Sequence, residues 1–285
     1  MRKLAITLLL AACNSTPPNT ALTDAQKTAA TLAAFRDTLE SKDFGAIAQN
    51  YPLGAQQFVR ATVPGHAWVT DGPTLGDDLD SSIQGYISHG TAATDLPVKE
   101  ACEEGISHVI LRASFEQVYA AAALDTAAGW DTAFGLYGDS GGTATGLGAL
   151  AIERDTEFGL ANEAAILAAF SAGRAAVARG QSGADSLATL DNTMNTVFGL
   201  SLRHEFAEAA ANVVTGDNAA ALEGYVAGEE LWQAQVERLK QDHASEVTAV
   251  DVELSHGNPT DASLMTAVDF NKLVNTVTAL FNLTI

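Results

Sequence analysis

The stretch at residues 201–209, SLRHEFAEA, places charge where a helix should be dry. Upstream, Leu187, Leu190, Met194, Val197 and Phe198 recur at spacings of three and four, tracing one apolar stripe of an amphipathic helix. At about 100° per residue, Glu205 falls in line with Leu187 and Glu208 with Leu190, and His204 lies at the stripe's edge. Carboxylates facing a core are costly unless a cation or hydrogen-bond donors meet them. The same phase argument puts Glu116, Glu163 and Glu229 on the apolar stripes of three further helices, with Arg174 the one clear cation on such a stripe. Helices of a bundle can aim inward carboxylates at one centre, as di-iron carboxylate proteins do. Glu116, Glu205, Glu208, Glu229 and His204 are therefore the candidate metal ligands. Oxygen donors suit a hard cation, and an imidazole from His204 or His108 shifts the choice towards iron, manganese or zinc. A strict pair of Glu-x-x-His motifs is missing, since Glu205 is followed at the third place by Glu208. The other reading of the same glutamates is as edge residues or ion-pair partners of Arg112, Arg154, Arg174 or Arg203.

The elements that must carry these residues are helical. Alanine and leucine are abundant, aromatics make up 7% and prolines number seven in 285 residues. The expected architecture is all-α: an antiparallel helical bundle with short connections, as one domain or two packed helical halves, over residues 23–285. Thr23 opens the first helix with capping-box spacing. Residues 62–94 read as the longest irregular region, broken by Gly65, Gly72, Pro73, Gly76 and Gly90, with a short helix near 81–87. Its DDLD run is a solvated loop or, with less of the required spacing, a calcium-binding one. Asp95 and Pro97 start a long helix to about residue 126, on whose flank Glu104, His108 and Arg112 form either an exposed charge ladder or a metal-binding edge. Helices follow at 129–138, 148–158, 162–179, 185–215 and 218–241, then a polar segment at 243–258 and a final helix.

The N-terminus carries the most specific local signal. Arg2 and Lys3, an apolar run from 6 to 10 and Leu10-Ala11-Ala12-Cys13 have the order of a bacterial lipobox, with residues 1–12 as signal peptide. Cys13 is then the lipidated mature N-terminus, and residues 13–22 tether the domain to the membrane. Asn14, standing where aspartate would retain an enteric lipoprotein at the inner membrane, directs the chain to the outer membrane facing the periplasm. Cys102 is left without an intrachain partner and falls on an apolar face, as a core residue would. The formal net charge of −20 disfavours nucleic acid and anionic lipid, and attracts cations. No GxSxG, HExxH or P-loop pattern is present, so no enzyme is expected, although Glu205 and Glu208 could act as general acid and base if a cleft opened there.

Trp130-Asp131-Thr-Ala-Phe-Gly-Leu-Tyr137, Ala149-Leu-Ala-Ile-Glu-Arg154 with Phe158-Gly159, Asn162 with Ile166 and Gly173-Arg174, Arg203, and Glu229-Glu-Leu-Trp232 form an ordered series. Over about residues 95–280 this series resembles the low-iron-inducible periplasmic protein family, iron-assimilation proteins of algal periplasms and related bacterial lipoproteins. The resemblance implies a helical extracytoplasmic protein of iron acquisition that binds iron or a small iron chelate, with a transporter as possible partner. Glu116, Asp131, Glu153, Arg154, Arg174, Arg203 and Trp232 are the matching positions. With Glu163 on its own helix stripe, the charged ones among them (Asp131, Glu153, Arg154, Arg174 and Arg203) are read as orienting the ligand. The chain departs from the family where Phe115 precedes Glu116 in place of histidine, and at Thr132.

Overall fold

The computed structural model describes residues 20–69, 74–138 and 146–283. The lipobox, Cys13 and most of the expected tether lie outside the described residues; Thr20 already belongs to the first helix. Among the described residues twelve α-helices follow in order: α1 Thr20–Glu40, α2 Phe44–Asn50, α3 Ala55–Arg60, α4 Leu75–Ala92, α5 Leu96–Ala123, α6 Ala127–Tyr137, α7 Leu147–Phe158, α8 Asn162–Ala178, α9 Ala184–Thr215, α10 Asn218–Gln233, α11 Val236–Leu254 and α12 Phe270–Leu280. No strand occurs among the described residues, and the protein is an all-α helical bundle.

Two long helices and the one between them form the centre. The 32-residue α9 ends at Gly216, which takes the left-handed conformation (φ 80°) that a side chain would resist. Asp217 then caps α10 by accepting the Ala220 N–H, so the chain reverses within two residues and α10 packs back along α9. The other side of α10 packs on α5. Covered from both sides, α10 buries Leu222, Tyr225, Val226, Leu231 and Trp232. Around this centre α4 and α6 lie against α5, α8 and α12 against α9, and α1 against α6. One continuous hydrophobic cluster runs from Phe35 in α1 to Leu280 in α12. No helix of the described residues is long and apolar enough to cross a membrane.

The region expected to be irregular at 62–94 instead contains the 18-residue α4. Gly76 and Gly90 are packing residues, not breakers: a Cβ on Gly76 would stand 2.4 Å from the Arg60 carbonyl oxygen, and one on Gly90 2.2 Å from the Phe44 ring, while Gly72 and Pro73 lie outside the described residues. Leu75, Leu79, Ile83, Tyr86 and Ile87 form its buried stripe. The DDLD run is thus helical, not a loop of either kind. Asp77 pairs with Arg60 at 3.1 Å, and Asp80 accepts from the Tyr51 hydroxyl at 2.9 Å and the Gln56 amide at 3.1 Å. The polar segment expected at 243–258 is likewise mostly helix, since α11 continues through a kink at His243 (φ −133°, ψ 37°) to Leu254. The final helix is preceded by a 3₁₀ turn, Ala262–Ala267. Cys102 is fully buried in the core, as its face implied, and burial pushes its thiol up to about 11.

Candidate functional site

Where α1, α5, α7, α9 and α10 approach one another, they line a polar cavity of about 330 Å³ that is partly open to solvent, with Glu153 and Glu208 exposed at its rim. Each helix contributes charge. From α9 come His204, Glu205 and Glu208; from α5, Glu104 and His108; from α7, Glu153 and Arg154; from α10, Glu223; from α1, Arg36. Gly224 makes the α9–α10 crossing tight enough for this, since a Cβ there would stand 2.7 Å from the Glu205 carbonyl oxygen. Five carboxylates thus face two guanidinium groups and two imidazoles.

The electrostatics follow from that count. Burial, with Glu104 next, pushes Glu205 up to about 8, against the opposing pull of Arg154. Glu223 is pushed up to about 7 by burial and then by Glu100 and Glu104, and Glu104 is raised chiefly by burial. The Glu205 carboxyl accepts no hydrogen bond from the described residues. His108 is 7% exposed, and burial lowers its pKa to about 4, so its ring is neutral at pH 7. Its Nδ1 lies 2.9 Å from the Glu104 carbonyl oxygen, which can only accept. Nδ1 therefore carries the proton, and Nε2 is left with the lone pair a metal or a donor would take. His204 bridges two acids, with Nδ1 2.9 Å from Glu157 and Nε2 3.5 Å from Glu208. Such a donor set, carboxylate oxygens with neutral imidazole, suits iron, manganese or zinc. Among the described residues no three His, Cys, Asp or Glu side chains stand close enough to grip one ion directly. The cavity's size and donor spacing suit a hydrated ion or a small complex better than a bare ion.

The structure brings together Glu205, Glu208, His204, Glu153 and Arg154, and separates the other expected site residues. Glu116 is not a partner of Glu205. It is 2% exposed, and its carboxylate accepts the Gly65 and His66 N–H groups at 2.8 and 3.2 Å and faces His66 Nδ1 at 3.0 Å. His66 Nε2 reaches Asp191 at 3.1 Å, and the ring lies between Trp68 and Tyr119 at 4.2 and 3.8 Å with Phe115 at 4.6 Å. Burial works to lower the His66 pKa, but the bonds to Asp191 and Glu116 more than offset it, and the pKa is raised. Glu229 is also elsewhere, near Tyr225, and burial pushes it up to about 7. Its neighbour Glu230 is the more buried and accepts from the Tyr86 hydroxyl at 2.7 Å. Asp131 and Arg174 form an ion pair between α6 and α8. Glu163 sits in the first turn of α8, its N–H held by Asp155 at 2.8 Å. Arg203 lies over the Phe158 ring at 5.4 Å. None of these six lines the cavity.

Glu223 and Arg36 were not singled out by the sequence, and Glu104 and His108 are a cavity edge where an exposed ladder was the other reading. The four-residue spacing that marks Glu104 and His108 on α5 recurs in His204 and Glu208 on α9, whereas no spacing in the chain marks Glu223 or Arg36. The chain matches no protein-family model, no curated protein and no solved structure. The resemblance to the low-iron-inducible periplasmic proteins is carried by its motifs alone.

Proposed function

We propose that this protein is a lipid-anchored cation-binding protein of the bacterial cell envelope, held by Cys13 at the outer membrane, without catalytic activity. It captures a metal ion or a small iron chelate in the acidic cavity and assists iron acquisition by passing the cargo to a membrane transporter. One observation carries the reading: Glu205, a carboxyl with no hydrogen-bond donor among the described residues, shares a cavity with Glu104, Glu153, Glu208 and Glu223. Carboxyl groups so crowded are relieved by a bound positive charge. The net charge of −20 supports it by concentrating cations at the surface. Iron itself is supplied by the resemblance and by the carboxylate and imidazole donors.

The test is a thermal melt of the full chain with and without ferrous ion under anaerobic conditions. Wild type gains several degrees with metal, and a Glu205→Gln/Glu208→Gln double variant gains none. Equal gains in both would contradict the proposal.

A second reading has its own support. Glu116–His66–Asp191, Asp131–Arg174 and Lys272–Glu253 at 2.9 Å are ion pairs complete within the protein. On that reading the molecule is a structural or protein-interaction lipoprotein, and its melt is indifferent to metal.

A further inference from the structure

We infer that the cavity takes its cation together with a small carboxylate co-ligand, as a 1:1 complex of a divalent metal with a di- or hydroxycarboxylate, the co-ligand's oxygens being held by Arg154. This rests on the cation-binding reading and narrows its cargo.

The carrying observation is Arg154, the guanidinium on the cavity wall contributed by α7. It is 7% exposed, yet among the described residues its Nε and Nη1 have no hydrogen-bond partner. Its nearest carboxylates supply charge only: Glu157 lies 3.3 Å from Nη1 without hydrogen-bond alignment, and Glu153 lies 3.8 Å from Nη2. Buried donors left unmatched are costly and rare, so they mark a place where an acceptor belongs. A carboxylate is the natural acceptor for a planar guanidinium. Arg36, from α1, also lines the cavity. A bare cation has nothing to offer either arginine, and a free carboxylate would meet the repulsion of five glutamates. A metal–carboxylate complex, which presents a cation on one side and carboxylate oxygens on the other, satisfies both sets, its metal towards Glu205, Glu208, Glu104 and Glu223 and its free oxygens towards Arg154. A cavity of about 330 Å³ has room for such a complex.

The test is calorimetry on the full chain with manganous chloride, sodium citrate, and manganous chloride with excess citrate, the manganous ion serving as an air-stable divalent probe. Wild type binds the metal with citrate at least tenfold more tightly than the metal alone, and citrate alone gives no heat. Arg154→Lys keeps the charge and loses the guanidinium donors; the ratio of its affinities with and without citrate falls to near one. Glu205→Gln weakens both titrations. Equal affinity with and without citrate in wild type would overturn the inference while leaving cation binding intact, whether or not the lysine variant folds. A preference that survives in Arg154→Lys, or citrate binding without metal, would overturn it too. Absence of metal binding in every arm would remove the cation reading as well.

Discussion

Glu205 and Glu116 are the same residue type, each on an apolar stripe of a long helix, and their surroundings give them opposite chemistry. Glu116 meets two backbone N–H groups and an imidazole whose far nitrogen meets Asp191. Glu205 has other carboxylates nearby, with Arg154 opposing them, and accepts no hydrogen bond among the described residues. Removing one partner of a buried, hydrogen-bonded ion pair leaves the other stranded, so Glu116→Ala should cost about 3–5 kcal/mol in urea denaturation. Glu205→Gln removes a group the fold keeps protonated at a cost, so the same measurement on metal-free protein at pH 8 should show no loss of stability. A large loss would mean that the Glu205 carboxylate has a structural partner. The contrast separates a residue that holds the fold from one that awaits a ligand.

At the scale of elements, small residues let helices approach, at the cavity and away from it. Gly224 brings α10 against the α9 backbone, and Gly90 admits the Phe44 ring of α2 against α4. Glycine to alanine within a helix ordinarily stabilises by up to about 1 kcal/mol. Gly90→Ala should reverse that sign and destabilise by about 1–3 kcal/mol, because the Phe44 ring would have to move; a stabilised variant by thermal melt would show that α2 is not packed there. The same glycines explain what was legible in the chain. Helical phase located α5 through α9 to within a few residues and put Glu205, Glu208 and His204 on one face, of which Glu205 and His204 are half-buried and Glu208 is exposed at the cavity rim. It could not say which helix would stand opposite, and so joined Glu116 and Glu229 to them. α10 is buried on nearly all sides, so a stripe drawn through Leu222 and Tyr225 chose Glu229 when Glu230 is the buried one. In α4 the glycines read as breakers, since close packing and chain breaking use the same residue and only the partner surface tells them apart. α11 was hidden by its polarity and by the kink at His243.

Over the whole molecule the raised carboxyls make stability depend on pH in a definite direction. Glu205 at about 8, and Glu103, Glu223 and Glu229 at about 7, keep their protons in the fold at pH values where the unfolded chain has lost them. The folded state then binds more protons, and stability falls as pH rises from the ordinary carboxylate range through those values. His66, raised by its two carboxylates against burial, adds stability below its ordinary pKa that is lost as pH climbs through the folded value. His108 opposes them, because its depressed pKa costs stability as pH falls from about 6.5 towards about 4. The metal-free melting temperature should therefore rise by several degrees from pH 8.5 to 6.5, and flatten or fall below pH 5. A melt that is flat from 8.5 to 6.5 would contradict the burial of these groups. Bound metal should flatten the upper limb, since it holds the cavity carboxylates ionised, and calorimetry at pH 7 in buffers of different ionisation heat should register proton release on binding.

The most direct test of a cation held at the meeting of α1, α5, α7, α9 and α10 is anomalous diffraction from crystals of the full chain grown with manganous ion and citrate. An anomalous peak is expected inside the cavity, among Glu104, Glu205, Glu208 and Glu223. An empty cavity, or manganese found only on exposed acids such as Asp77 and Asp78, would contradict it.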